Sequence, residues 1–153
     1  MKLDETDTLI LNYLQKDSSI SNVKLAGFVN LSPAATLTRV KKLEQEGFIK
    51  GYTAVIDTER LGYSLLCMVQ VSLETHEVQL VNQFREQIQE MPEVLECYFL
   101  TGQSDYLLKV TVKDRQALEY FLVNTLTPAS GVARLQTSVI LNEVKTSSVL
   151  GPA

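Results

Sequence analysis

The chain contains a single histidine, two cysteines and no long apolar run, and each shortage excludes something. No stretch approaches the roughly 18 apolar residues that span a bilayer. The opening "MKLDETD" lacks the apolar core of a secretory leader. No membrane partner is therefore expected, and the cytoplasm is the natural compartment. One histidine cannot build a multi-histidine metal site, and His76, in the polar stretch "ETHEV", reads as a surface residue ahead of a helix. No phosphate-cradling glycine loop and no nucleophile elbow occurs, so neither catalysis nor a cofactor is expected. Cys67 and Cys97 stand singly in apolar runs without metal or redox spacing, and read as two reduced core thiols.

Positive charge is also in deficit, with 14 Lys and Arg against 18 Asp and Glu, a net −4. The deficit is uneven. Residues 1–60 hold 8 of each sign, which leaves 6 basic and 10 acidic residues for 61–153. Four of the basic residues, Arg39, Lys41, Lys42 and Lys50, fall in the stretch "LSPAATLTRVKKLEQEGFIKGYT" at 31–53. An acidic chain that gathers cations on one short segment has a local use for them.

The local patterns give that segment a shape. Residues 4–15 read as a helix capped by Asp4, with Ile10, Leu11 and Leu14 as its apolar stripe. Ser21 caps a second short helix, with Val23, Leu25, Ala26 and Val29 expected to face inward, and Asn30 suits the turn after it. Ser32 and Pro33 mark the start of a third helix that runs to about Glu46, where Gly47 follows. Three short helices with a three-residue turn before the last form the helix-turn-helix pattern. At 100° per residue, Leu37, Val40 and Leu43 should pack inward, while Ala35, Thr38, Arg39, Lys42 and Gln45 face out and Lys41 flanks them. Small side chains at the start of such a helix let its backbone approach base edges, and long basic ones meet phosphates. Arg39 is the strongest candidate for a two-point contact to a guanine or a phosphate. Lys41, Lys42 and Lys50 are candidate phosphate contacts. Residues 48–56 suggest a short strand or hairpin, and a linker follows.

Beyond residue 60 the pattern changes. Strands are expected at 64–73, 93–100, 106–112 and within 132–144, and helices at 77–91 and 114–126. The order β-α-β-β-α-β reads as a ferredoxin-like sandwich. The expected class is therefore α+β, with an N-terminal helix-turn-helix domain at 1–60 and a ferredoxin-like domain at 61–153. One sheet face of such a unit is open, and dimerisation through the sheet would cover it. The aromatic pairs Tyr98–Phe99 and Tyr120–Phe121 read as core or interface packing.

The fragments "DTLILNYLQKDSSISNVKLA", "LSPAATLTRVKKLEQEGFIKGYTAVID", "GQSDYLLKV" and "NEVKTSS", in that order and spacing, resemble the Lrp/AsnC family of leucine-responsive, feast/famine transcription regulators over nearly the whole chain. The resemblance implies sequence-specific binding of double-stranded DNA in the cytoplasm, at the nucleoid. It also implies assembly of dimers into octamers or larger discs, and a small amino-acid effector held between subunits. On this reading Ser32, Ala35, Thr36 and Thr38 join Arg39, Lys41, Lys42 and Lys50 at the DNA. Gly102, Gln103, Ser104, Asp105 and Tyr106 form the effector turn. Its other wall comes from Thr137, with Thr125, Leu126 and Val139 as further candidates. An apolar wall favours leucine or methionine. The chain departs from the family at Ala35, where Pro is common, at Thr36, where Cys is common, and at Gln103, where an acidic residue is common. The alternative is an architectural protein that wraps or bridges DNA without an effector.

Overall fold

In a computed structural model, residues 2–147, 149 and 150 are described, and the chain divides into two units. One comprises the chain up to Val55 together with the tail from Val144; the other is Ile56–Glu143. The tail follows the last strand in sequence, yet Gln15 holds it in the first unit. The Gln15 side-chain amide donates to Leu150 O (3.1 Å) and accepts from Leu150 N (2.8 Å).

The first unit is built from α1 (Glu5–Lys16), α2 (Asn22–Phe28) and α3 (Pro33–Gln45). Each start is capped as the sequence predicts: Asp4, Ser21 and Ser32 accept from the N–H groups of Asp7, Lys24 and Ala35. Such caps satisfy donors that the helix itself leaves orphaned, each worth about 1 kcal/mol. Asn30 (φ 54°) and Gly47 (φ 76°) take the left-handed backbone that ends α2 and α3. The core is Ile10, Leu25, Val29 and Leu43, with Leu11, Leu14, Ile20 and Val40 packed around it. Val23, expected inside, is exposed, because α2 turns Leu25, Ala26 and Val29 inward instead. Residues 48–56 do not form the expected strand or hairpin. They run irregularly with no strand beside them, and Val55 is 98% exposed.

The second unit is β1 (Leu65–Leu73), α4 (Val78–Gln89), β2 (Val94–Phe99), β3 (Tyr106–Val112), α5 (Arg115–Tyr120) and β4 (Val132–Val139). A π-helical turn, Phe121–Leu126, continues α5. The four strands are antiparallel in the order β2-β3-β1-β4, the ferredoxin-like arrangement that the sequence predicts. Alternation separates the faces. Cys67, Val69 and Val71 of β1 and Tyr106, Leu108 and Val110 of β3 meet Phe84 and Ile88 of α4 and Phe121 and Leu126 of the α5 segment in one core. Leu66, Met68 and Leu107 look the other way and are only half-buried. Of the two cysteines only Cys67 is a core thiol; Cys97, on the edge strand β2, is exposed. Among the described residues no further strand covers that edge. Phe121 is buried, whereas Tyr98, Phe99 and Tyr120 are exposed. Among the described residues no helix is long and apolar enough to cross a membrane.

Candidate nucleic-acid interface and effector turn

The α3 helix is set on the body of the first unit by three attachments. Asn22 Nδ2 donates to Pro33 O (2.8 Å), which ties α2 to the start of α3. Leu43 is fully buried. Arg39 Nη1 then reaches across to α1, to Asp4 Oδ2 (2.6 Å) and Asp7 Oδ1 (2.7 Å). Asp4 and Asp7 are themselves locked in a capping box, Asp7 N to Asp4 Oδ1 at 2.7 Å and Asp4 N to Asp7 Oδ2 at 3.3 Å. The Asp7 N–H and the Arg39 guanidinium hold the Asp4 carboxyl below the usual range, and the Asp4 and Asp7 carboxylates in turn raise Arg39.

These attachments rotate the helix relative to the sequence expectation. The buried positions are Thr36 and Leu43, with Val40 and Arg39 half-buried beside them. Leu37, expected inside, is 45% exposed. Two of the candidate DNA residues have partners within their own unit. Thr36 is wholly buried and its hydroxyl donates to Ser32 O (3.0 Å), so it faces no ligand. Arg39 Nη1 is engaged by the two aspartates of its own unit, and the side chain is 35% exposed. Apolar spacing alone points this side chain outward, whereas the carboxylates at the start of α1 draw its Nη1 toward its own unit. Exposed instead are Ser32, Ala34, Thr38, Lys41, Lys42 and Gln45 on α3, with Ala35 half-buried and Lys50 exposed in the segment that follows. Lys41 sits near the centre of that face rather than at its flank. Thr38 uses its hydroxyl proton on Ala34 O (3.0 Å), which leaves its lone pairs outward. Ala34, Asn22 and the Asp4–Asp7 pair escaped the sequence reading. The Asp-x-x-Asp spacing at a helix start was the one visible sign of the last.

In the second unit, "TGQSD" forms the turn between β2 and β3, with Gly102 at φ 135°. Asp105 is tied at four points. Its N–H donates to Val71 O (2.9 Å) and its carbonyl accepts from Leu100 N (2.8 Å). Its Oδ2 accepts from Leu73 N (2.8 Å), and its Oδ1 lies 2.7 Å from His76 Nε2. The Leu73 N–H, then His76, lower the Asp105 carboxyl. His76 is thus a partner of the turn and not merely a surface residue. Ser104 Oγ donates to Gln70 Oε1 (3.2 Å), while Gly102 and Gln103 are exposed.

The remaining effector candidates lie elsewhere in the protomer. Tyr106 is buried on the helix side of the sheet, where it packs on Phe84 and takes a hydrogen bond from Arg85 Nε (3.0 Å). β3 alternation turns its side chain inward, away from the exposed turn residues Gly102 and Gln103. Arg85, absent from the sequence reading, also lies 5.7 Å from the Phe99 ring. Leu126 is sealed in the core. Thr137 pairs with Val69, which pairs with Leu108, so two strand spacings, roughly 10 Å, separate Thr137 from the strand that carries the turn. Thr125 lines a cleft of about 420 Å³ with Glu86, Gln87, Glu90 and Met91. Within one protomer, then, the turn residues Gly102 to Asp105 come together and the second wall does not join them.

Residues 3–50 match the winged helix-turn-helix DNA-binding family, and residues 66–150 match the Lrp/AsnC ligand binding domain. The leucine-responsive regulatory protein of Escherichia coli K12 is 43% identical over 148 residues, 97% of this chain and 90% of that protein. The chain belongs to the Lrp/AsnC family. Among solved members, a transcriptional regulator of Neisseria meningitidis in complex with L-Met superposes with a TM-score of 0.94 at 36% identity, covering 97% of this chain and 96% of that one. Bacillus subtilis LrpC superposes at 0.85 with 34% identity, covering 96% and 100%. This Lrp/AsnC protein is a DNA-binding transcriptional regulator with a ligand-binding second domain, and its family is one of regulators, not enzymes.

Proposed function

We propose that this regulator reads double-stranded DNA in the cytoplasm with the exposed side of α3, and that an amino acid with an apolar side chain modulates that binding. The observation that carries the first half is the outward grouping of Thr38, Lys41, Lys42 and Gln45 beside the capped start of a helix in a net-acidic chain. Ser32 and Ala35 at that start allow close backbone approach, and Lys50 adds a phosphate contact from the next segment. Few cations per protomer mean that useful affinity needs two such helices on one dimer, and more in a higher assembly. The half-buried apolar residues Leu66, Met68 and Leu107 on the open face of the sheet support dimerisation there.

For the effector, the turn at 101–105 offers backbone N–H groups for a carboxylate and Asp105 for an ammonium group. The second wall comes from another subunit, because one protomer leaves Thr137 and Thr125 apart from the turn. The methionine bound by the Neisseria regulator supports methionine or leucine as the ligand class. One observation favours a second reading. Both oxygens of Asp105 already have partners within the protomer, as expected of a ligand-blind architectural DNA binder. Footprinting on promoter DNA with and without each amino acid, paired with native mass spectrometry, separates the two. A ligand-dependent change in affinity or assembly supports the sensor, and broad protection that no amino acid alters supports the architectural protein.

A further inference from the structure

Asp105 cannot turn away from its place. Its backbone is bonded on both sides, to Val71 O and from Leu100 N, and its Oδ2 is held by Leu73 N. Oδ1 is the oxygen without a backbone donor and so the more open one to a cationic ligand, and His76 Nε2 already lies 2.7 Å from it. The two groups differ in freedom. The Asp105 side chain is 20% exposed, whereas that of His76 is 71% exposed. His76 rides on the loop between β1 and α4, which is anchored by Glu74 N–H donating to Gly131 O (2.8 Å) and by Glu77 N–H donating to the Thr75 hydroxyl, Oγ1 (3.3 Å). The ring can swing off without undoing either.

We propose that His76 is an internal competitor for the effector: it occupies Asp105 Oδ1, and the ammonium group of the amino acid binds by displacing it. This rests on the reading of the 101–105 turn as the effector site. Imidazolium and alkylammonium are both cationic N–H donors to carboxylate, so they compete directly. A neutral imidazole offers one uncharged donor and yields more easily. Effector binding should thus weaken as acid charges the ring. The charged groups around the ring are few. Asp105 faces it from the turn, whose other members, Thr101, Gly102, Gln103 and Ser104, carry no charge. Glu74 and Glu77 flank it on its own loop, and the first turn of α4, Val78 to Val81, carries none. On β4 the charged side chain is Arg134, opposite Ser72 on the open face of the sheet.

The test is calorimetric titration of the full-length protein with L-methionine and with L-leucine at pH 5.5 and pH 8, for wild type, His76→Ala and Asp105→Asn. Both ligands keep their charges over that interval. Wild type should bind roughly tenfold more weakly at pH 5.5. His76→Ala should bind at least as tightly as wild type at pH 8 and lose the pH dependence. A His76→Ala protein with the wild-type pH profile, or a flat wild-type profile, overturns the proposal and leaves the effector site standing. An Asp105→Asn protein that binds as wild type does, or the lack of binding by wild type and His76→Ala alike at pH 8, overturns the site itself and the competition with it.

Discussion

Arg39 Nη1 lies 2.7 Å from Asp7 Oδ1, joining α3 to the first turn of α1 across 32 residues of chain. The Asp7 side chain is only 4% exposed. A carboxylate so placed needs a cationic partner, since an unpaired buried charge is costly. Arg39 therefore fastens α3 to the start of α1. Removing it should act on the fold first. Arg39→Met should destabilise the protein by roughly 1–3 kcal/mol, the cost of leaving a buried acceptor unsatisfied, seen as a lower urea midpoint. A variant with wild-type stability that loses DNA binding would return Arg39 to the interface.

Lys41 and Lys42 should behave in the opposite way. Both are exposed on α3, and neither has an ion-pair partner among the described residues within 4.0 Å. Lys41→Ala or Lys42→Ala should leave the melting temperature in place and weaken DNA binding. Each should lower the slope of log K against log salt by about 0.9, because one fewer phosphate is neutralised. Affinity measured from low to moderate salt checks this, and an unchanged slope would take that lysine off the phosphates.

The rotation of α3 is itself testable through two leucines six residues apart. Leu43 is fully buried and Leu37 is 45% exposed. Leu43→Ala should cost roughly 2–5 kcal/mol through lost transfer energy and a residual cavity. Leu37→Ala should cost under about 0.5 kcal/mol, as surface changes do. Equal costs in denaturant titrations would mean that the helix packs on the face the apolar spacing suggested.

Acid should loosen the second unit through Asp105. Hydrogen bonds from the Leu73 N–H and His76 lower its carboxyl below the ordinary value of 3.8. A carboxyl depressed in the folded state contributes stability that is full above the unfolded value and is lost as pH falls through the folded one. The wild-type urea midpoint should therefore fall as pH drops below about 3.8, with Asp105→Asn giving a shallower fall. Asp4, Asp17 and Glu96 are lowered as well, so the substitution should remove only part of the slope.

Much of this protein was legible in one dimension because the information was local. Caps such as Asp4, Ser21, Ser32 and Asp114 announce helix starts through bonds spanning three residues. Alternation along β1 and β3 separates the two sheet faces, and the β-α-β-β-α-β order leaves few other arrangements of four strands. The family fragments were equally plain. What stayed hidden depends on partners distant in sequence. Whether Arg39 meets a phosphate or Asp7, whether Thr36 is seen or sealed, and whether His76 touches Asp105, 29 residues on, all turn on where separate segments converge. An arginine has the same chemistry wherever it sits. Only packing in three dimensions decides which anion lies within its reach.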